Sequence, residues 1–272
     1  MTAAPRGGSE LRSADGTRIA FSASGTGPAV ILVDGALCYR GMGPGDALAR
    51  CLAGRFTVFQ YDRRGRGQSG DAAPYAVQRE IEDLDAVLQA AGGTAMLWGM
   101  SSGAVLALDA AAQLRGVQKV AVYEAPLIAD ASRPGTQDDW LAIRHAAAQG
   151  DRSEAVRRFL RSVGLPGFAV AVMRLLPMWQ RLKAVAHTLP YDGEIVAGLQ
   201  RGVPPDAARW AGITAPVLVT DGGRSPPWMR NGNAALAAAL PGARYRTVEG
   251  LTHNLKPAVL APVLAGFFAA PA

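Results

Sequence analysis

Short apolar runs alternate with amphipathic stretches along most of the chain. The run AVILV at 29–33 is almost wholly apolar, as expected for a strand that is covered on both faces. Residues 77–91 place apolar side chains three and four positions apart, which is typical of an amphipathic helix. The same patterns predict further strands at 16–23, 56–61, 95–98, 119–123, 216–220 and 244–248. They predict further helices at 45–53, 102–115, 231–240 and 257–269.

The alternation of strands and helices predicts a mostly parallel sheet flanked by helices, with right-handed crossovers. Between 127 and 207 the chain predicts no strand, only helical stretches at 137–149, 152–163 and 167–186. We therefore interpret 1–126 and 208–272 as an α/β core and 127–207 as an inserted helical cap. Its apolar side chains could form a lid over a site at the carboxyl ends of the strands, or could merely pack the helices together.

Composition and charge indicate an ordinary globular protein. The 272 residues are 49% hydrophobic and 18% charged, and the net charge is +6. The densest basic runs are Arg63, Arg64 and Arg66 in a Gly-rich loop, and Arg157, Arg158 and Arg161 on a predicted helix. Because these runs are short and separate, we interpret them as a solvated basic surface and expect no nucleic-acid partner.

Targeting and metal-binding signals are weak. No apolar stretch reaches the roughly 18 to 20 residues that span a bilayer, and the chain begins without the apolar segment of a secretion signal. We therefore expect a cytoplasmic protein without a membrane partner. Cys38 and Cys51 form no metal-ligand pattern, so we expect reduced, semi-buried thiols and no metal site.

The strongest chemical signal is GMSSG at 99–103, between a predicted strand and a predicted helix. It matches the G-x-S-x-G nucleophile elbow, in which a sharp turn presents the serine and only small residues fit two positions to either side. The helix that begins at Ser102 would point free N–H groups towards Ser101, where an oxyanion develops. Ser101 is therefore the candidate nucleophile; the alternative is an ordinary turn serine.

His253 is the candidate general base. It follows the last predicted strand, where the histidine stands when a triad runs in the order Ser, acid, His. A neutral imidazole with a pKa of about 6.5 can accept the serine proton and return it to a leaving alcohol. His145 and His187 lie in the predicted cap, and we interpret them as surface or packing residues.

With these motifs the chain resembles the α/β-hydrolase superfamily over essentially its whole length. The resemblance includes Asp34-Gly35 after an apolar strand, the loop DRRGRGQS at 62–69, the elbow and the late histidine. More narrowly, the chain resembles the fungal zearalenone lactonases in VDG at 33–35, WGMSSGA at 98–104, Glu124 before Pro126, and PMW at 177–179. The resemblance implies an α/β-hydrolase fold with a helical cap inserted after the sixth core strand.

The resemblance also implies the remaining site residues. The oxyanion hole would consist of the backbone N–H groups of Gly35 and Ser102. In the predicted cap, Pro177 would break or kink a helix and turn the following side chains inward, so we expect Met178 and Trp179 to contact the substrate. Asp34 stands where the superfamily commonly has histidine. It could orient the loop, contact the substrate or cap a turn, and we favour a structural role.

The triad acid has two candidates. The superfamily's usual position after the strand at 216–220 is occupied by Ser225, whose hydroxyl cannot supply a negative charge. Glu124, directly after the strand at 119–123, and Asp221, at the end of the strand at 216–220, both remain possible. The lactonase resemblance selects Glu124.

These residues predict cofactor-free hydrolysis of a small-molecule carboxylic ester or lactone through an acyl-enzyme on Ser101. Related dehalogenases and epoxide hydrolases use aspartate as the nucleophile, so Ser101 argues against those reactions. A perhydrolase or a carbon–carbon bond hydrolase could use the same triad. A ligand receptor with little or no catalytic activity is the alternative from another functional class.

Overall fold

The seven predicted strands and one further strand form a single eight-stranded sheet in the computed structural model, which describes residues 8–271. The strands are β1 (Ser9–Arg12), β2 (Arg18–Ser24), β3 (Ala29–Val33), β4 (Thr57–Tyr61), β5 (Ala95–Met100), β6 (Val117–Tyr123), β7 (Val217–Gly222) and β8 (Arg244–Val248). Their order across the sheet is β1-β2-β4-β3-β5-β6-β7-β8. β2 pairs antiparallel with β1 and β4, and the neighbouring strands from β4 to β8 pair in parallel.

Helices connect the strands and cover the sheet. They are α1 (Gly45–Leu52), α2 (Val77–Ala90), α3 (Ser102–Ala111), α4 (Gln137–Ala148), α5 (Arg152–Ser162), α6 (Gly167–Met173), α7 (Pro177–Ala184), α8 (Leu189–Val196), α9 (Pro227–Ala239) and α10 (Pro257–Ala269). This is the predicted α/β-hydrolase fold. None of the helices within residues 8–271 is long and apolar enough to cross a membrane.

The core consists of apolar layers on the two faces of the sheet. In β3, Ile31 and Val33 pack on one face with α2 and α3, whereas Val30 and Leu32 pack on the other with α1 and α10. Both faces are buried because side chains alternate along a strand, which explains the uninterrupted apolar run in β3.

Residues 127–207 follow β6, hold α4–α8 and contribute no strand to the sheet within the described part of the chain. A third apolar cluster joins these helices, with Ile143, Val156, Trp179 and Leu189 among its members. Leu37, from the loop after β3, belongs to the same cluster. The segment therefore packs directly on a loop at the carboxyl ends of the strands.

Three elements differ from the sequence prediction. β1 is a polar four-residue edge strand that the apolar pattern did not indicate, and α8 was also not predicted. The predicted helix at 167–186 is divided into α6 and α7, because Leu176 is extended before Pro177. Proline disfavours helical geometry in the residue that precedes it.

Candidate active site

Ser101 lies in a strained turn between β5 and α3. Its φ of 56° and ψ of −128° are unusual for a residue with a side chain, and its N–H donates to Tyr123 O at 3.0 Å. A Cβ at Gly99 would lie 2.3 Å from Gly103 O, and one at Gly103 would lie 2.2 Å from Val33 O. The turn therefore requires glycine on both sides of the serine, as the elbow motif predicts.

The loop after β3 comes close to the serine. A Cβ at Gly35 would lie 2.9 Å from Ser101 Cβ, so only glycine allows this approach. Ser102 is buried at the beginning of α3, beside Ser101. The two residues predicted to form the oxyanion hole, Gly35 and Ser102, therefore both lie next to the serine side chain.

Glu124 and His253 form an acid–base pair. Glu124 Oε2 lies 2.8 Å from His253 Nδ1, and the Glu124 side chain is fully buried. Its other oxygen, Oε1, accepts hydrogen bonds from the Gly222 N–H at 2.9 Å and from the Ser225 hydroxyl. Glu124 has a positive φ of 47°, another strained residue at a strand end. The carboxylate is thus held on one side by the β7 turn and faces the imidazole on the other.

Asp221 has different partners. One of its oxygens accepts a hydrogen bond from the Tyr245 hydroxyl, and Oδ1 has no partner among residues 8–271. Burial raises the pKa of Asp221, with the Tyr245 and Thr247 side chains opposing the shift. Of the two candidate acids, Glu124 is therefore the one bonded to His253.

The His253 side chain is partly exposed beyond its contact with Glu124. Its side chain is 44% exposed, and it makes no hydrogen bond to Ser101 in the part of the chain that the structure describes. Bonds between catalytic groups are often long without substrate and tighten only in the complex. The arrangement thus has a fixed acid–base pair and a serine in a separate, strained turn.

Comparison with known proteins identifies the family. The family model described as "Alpha/beta hydrolase family" matches residues 24–263. The chain belongs to the alpha/beta hydrolase family. A crystal structure of an alpha/beta hydrolase from Sphaerobacter thermophilus DSM 20745 is 49% identical, with a TM-score of 0.87, and the alignment covers 96% of this chain and 100% of that one.

Two further relatives are more distant. The enol-lactonase from Burkholderia xenovorans LB400 is 21% identical with a TM-score of 0.71, over 96% of this chain and 100% of that chain, which shows a shared fold. The uncharacterized hydrolase YraK of Bacillus subtilis (strain 168) is 36% identical over 103 residues. That match spans 35% of each protein, about a third of the curated relative.

Asp34 occupies a buried position in this alpha/beta hydrolase. The side chain faces α1, where a Cβ at Gly45 would lie 2.7 Å from Asp34 Oδ2, and Oδ1 has no hydrogen-bond partner among the described residues. Burial, reinforced by Asp46, raises its pKa to about 7 against the opposing charges of Arg66 and Arg63. These contacts agree with a structural role, and contact with a substrate stays a prediction.

The predicted substrate contacts of the cap lie on α7. Trp179 is buried in the apolar cluster of residues 127–207, and its indole N–H donates to Ser153 Oγ at 3.3 Å. Met178 is 42% exposed. Trp179 thus packs within the segment, and contact of either residue with a substrate stays a prediction. Of the two other histidines, His145 is exposed and His187 is half-buried, with its Nε2 at 3.6 Å from Asp71 Oδ2.

The interpretation of the first basic run as a solvated surface was wrong. Arg63, Arg64 and Arg66 are at most 1% exposed. Arg63 pairs with Glu80, and Arg64 pairs with Asp83. The second run agrees better with the prediction, since Arg157 and Arg158 are 43% and 44% exposed and both pair with Glu154. Both cysteines are free, and Cys51 is exposed rather than semi-buried.

Asp192, a buried acid on α8, was not among the predicted site residues. Its Oδ1 lies 2.9 Å from Arg63 Nη1, and its Oδ2 lies 2.7 Å from Arg66 Nη2. Ser102 Oγ donates to its Oδ1 at 2.7 Å. Burial alone would raise the pKa of Asp192, but Arg66, Arg63 and the Ser102 hydroxyl together hold it below its ordinary value. The available signal was an acid in the largely apolar segment LPYDGEIV at 189–196, although that segment also holds Glu194.

Proposed function

We propose that this protein is a serine hydrolase that cleaves carboxylic esters or lactones through an acyl-enzyme on Ser101. The observation that carries the proposal is the 2.8 Å contact between Glu124 and His253, close in the fold to a serine in a strained elbow. A buried carboxylate that faces an imidazole, which in turn serves a nucleophile, is the arrangement that activates a serine.

In the first half-reaction, Ser101 Oγ attacks the carbonyl carbon as His253 Nε2 takes its proton. His253 Nδ1–H donates to Glu124, which stabilises the imidazolium. The Gly35 and Ser102 N–H groups stabilise the oxyanion, and loss of one such donor costs about 100-fold or more in rate. Collapse of the tetrahedral intermediate expels the alcohol, which receives the proton from His253.

In the second half-reaction, water replaces the alcohol. His253 accepts a proton from the water, hydroxide adds to the acyl carbon, and Ser101 Oγ leaves with that proton. The product is a carboxylic acid, or a hydroxy acid where the substrate was a lactone. Since the acid–base pair and the nucleophile belong to the chain itself, the reaction needs no cofactor.

The substrate proposal rests on residues 127–207 and on the resemblance to lactonases. We propose that this segment is a lid on the core formed by 1–126 and 208–272, because its apolar cluster includes Leu37 from the loop beside Ser101. Met178 and Trp179 are the proposed substrate contacts. An apolar lid favours an apolar acyl group, and the distant structural similarity to an enol-lactonase supports lactones as substrates.

The test combines labelling with turnover. A fluorophosphonate should modify Ser101, located by peptide mass spectrometry, and a chromogenic ester should give a burst of product. Ser101→Ala and His253→Ala should each lose several orders of magnitude in kcat with folding retained, and His145→Ala, an exposed histidine, is the matched control. Activity of Ser101→Ala within tenfold of wild type would overturn the proposal. Binding of the ester without a burst of product and without labelling of Ser101 would indicate a ligand receptor.

A panel of esters and lactones of graded size tests the lid. Trp179→Ala and Met178→Ala should change the ratio of kcat/KM between large and small substrates. An unchanged ratio would leave Trp179 with a packing role alone.

A further inference from the structure

Asp192 lies in the 127–207 segment, yet its carboxylate is bonded to the core. Oδ1 accepts from Arg63 Nη1 at 2.9 Å and from Ser102 Oγ at 2.7 Å, and Oδ2 accepts from Arg66 Nη2 at 2.7 Å. The Asp192 carboxylate is fully buried. One carboxylate from α8 therefore holds three side chains from two different core elements.

The two guanidinium groups extend from Asp192 to the loop after β3. Arg63 Nη1 donates to Asp34 O at 3.3 Å, and Arg66 Nη1 donates to Gly35 O at 2.7 Å. The Asp34 carbonyl belongs to the same peptide unit as the Gly35 N–H, and the two point in opposite directions in a trans peptide. A cation bonded to that oxygen fixes the peptide plane and strengthens the N–H dipole through cooperative polarisation.

Ser102 connects Asp192 to the second oxyanion donor. The hydroxyl that donates to Asp192 belongs to the residue whose N–H is the other proposed donor, at the beginning of α3. Asp192 is therefore connected to both proposed donor residues, to Gly35 through Arg63 and Arg66, and to Ser102 directly.

We propose that Asp192 is a positioning residue for the oxyanion hole, supplied to the core by the 127–207 segment. The inference rests on the proposed serine-hydrolase function and adds a dependence of its chemical step on α8. A donor misplaced by about 1 Å can cost on the order of 100-fold in rate, so a buried network that fixes both donors has a direct effect on kcat.

The charges of the network let one variant separate a geometric effect on the oxyanion hole from an electrostatic one. Arg63 and Arg66 are balanced by Glu80 and Asp192, so the cluster is neutral. Asp192→Asn leaves the cluster with one net positive charge, which by itself would favour an oxyanion. A fall in activity of this variant therefore reports lost geometry and not lost electrostatic stabilisation.

The experiment measures kcat, KM and the rate of fluorophosphonate labelling of Ser101 in the wild type and in Asp192→Asn. We expect kcat and the labelling rate to fall together, by about 10- to 100-fold, with KM changed by less than about threefold. The matched control is Asp83→Asn, which breaks the equally buried Arg64–Asp83 pair of the same loop. The control should lose thermal stability but keep the kcat and the labelling rate of the wild type.

Ser102→Ala is the second variant, since it removes the hydroxyl that bonds Asp192 and keeps the backbone N–H. Its kcat and labelling rate should fall by about 3- to 10-fold. The variant that carries both Asp192→Asn and Ser102→Ala should have the same kcat and labelling rate as Asp192→Asn alone. If Asp192→Asn does not fold, a Ser102→Ala labelling rate equal to that of the wild type overturns the inference.

The two proposals fail in distinguishable ways. The positioning role is overturned if Ser101 is labelled in the wild type and is labelled at the same or a higher rate in Asp192→Asn. The hydrolase proposal would then still stand. An equal loss in Asp83→Asn also overturns it, because the effect would then be general destabilisation. A wild-type Ser101 that is not labelled overturns the hydrolase proposal and the inference with it.

Discussion

At the scale of single residues, the choice between the two candidate acids depends on hydrogen-bond partners and not on position in the sheet. Glu124 and Asp221 both lie at carboxyl ends of neighbouring strands, β6 and β7. Only the Glu124 carboxylate is bonded to His253, while Asp221 faces Tyr245. Ser225, which occupies the position of the superfamily's usual acid, donates to Glu124. The hydroxyl thus supports an acid from the neighbouring strand.

We expect Glu124→Gln to lower kcat by roughly 10³ to 10⁴, by analogy with the Asp→Asn change in serine proteases. The amide keeps the shape of the side chain, but it removes the negative charge and can present an N–H to His253 Nδ1, which favours the wrong tautomer. Asp221→Asn should lower kcat far less. Kinetics of both folded variants on one ester would check this, and the reverse order would assign the acid to Asp221.

Ser225→Ala should lower kcat by about 10-fold while KM changes little. The change removes one of the two donors to Glu124 Oε1 and leaves the Gly222 N–H in place. A hydrogen bond to a charged group contributes about 1.5–3 kcal/mol, and part of this loss will be recovered by relaxation. Ser162→Ala, which removes a hydroxyl bond to Phe159 O within α5, is the control and should keep wild-type kcat. Equal kcat in both variants would contradict a role for Ser225.

At the scale of elements, the apolar pattern predicts those parts of the fold that are buried on one or both faces. β3 has its predicted bounds, and α2 ends one residue before the prediction. β1 could not be found, because SELR at 9–12 lies at the sheet edge and its residues are half-buried or exposed. The elbow was predictable because the serine and the glycines that its turn requires lie within five consecutive residues, GMSSG at 99–103. The network around Asp192 was not, since it joins residues about 130 positions apart in sequence.

Gly103→Ala should destabilise the strand–turn–helix element severely. Its new Cβ would lie 2.2 Å from Val33 O and 2.6 Å from Asp34 O, and backbone atoms of a buried strand cannot move away. We expect a loss of several kcal/mol in the free energy of unfolding, or failure to fold. Gly266→Ala within α10 is the matched control, because no heavy atom of residues 8–271 outside the helix's own backbone lies within 4 Å of its new Cβ.

The control should gain about 0.5–1 kcal/mol in the free energy of unfolding, since alanine has the higher helix propensity. Urea denaturation of both variants measures the difference. A Gly103→Ala protein as stable as the wild type would show that the elbow can relax and that the glycine is not required.

At the scale of the whole molecule, charged groups are buried where residues 127–207 meet the core. Arg63, Arg66 and Asp192 are paired inside the protein. The sequence pattern predicts a solvated surface for the two arginines, because its basic runs are short and separate. Their burial depends on α8, far along the chain, so no local pattern could indicate it. Buried pairs of this kind stabilise little in net terms, but removal of one partner is costly.

Asp34 makes the stability of the molecule depend on pH. Its pKa is about 7 in the folded protein and about 4 in an unfolded chain, so the folded state binds more protons between these values. The contribution of the Asp34 carboxyl group to the free energy of unfolding is therefore fully present below pH 4 and falls as the pH rises towards 7. Asp46 and Asp62 raise the pKa further, whereas Arg63 and Arg66 oppose them.

Asp34→Asn removes this titration while it preserves the shape of the side chain. The variant should therefore gain stability relative to the wild type as the pH rises from 5 to 8, by about 2–3 kcal/mol, because roughly two pH units lie between pH 5 and the folded pKa. Urea unfolding of both proteins at the two pH values measures the change, and other titrating groups largely cancel in the comparison. A difference between variant and wild type that is the same at pH 5 and pH 8 would mean that Asp34 ionises normally in the folded protein. In that case Asp34 Oδ1, which has no partner among residues 8–271, must find one in solution, and the loop beside Ser101 would carry a negative charge at neutral pH.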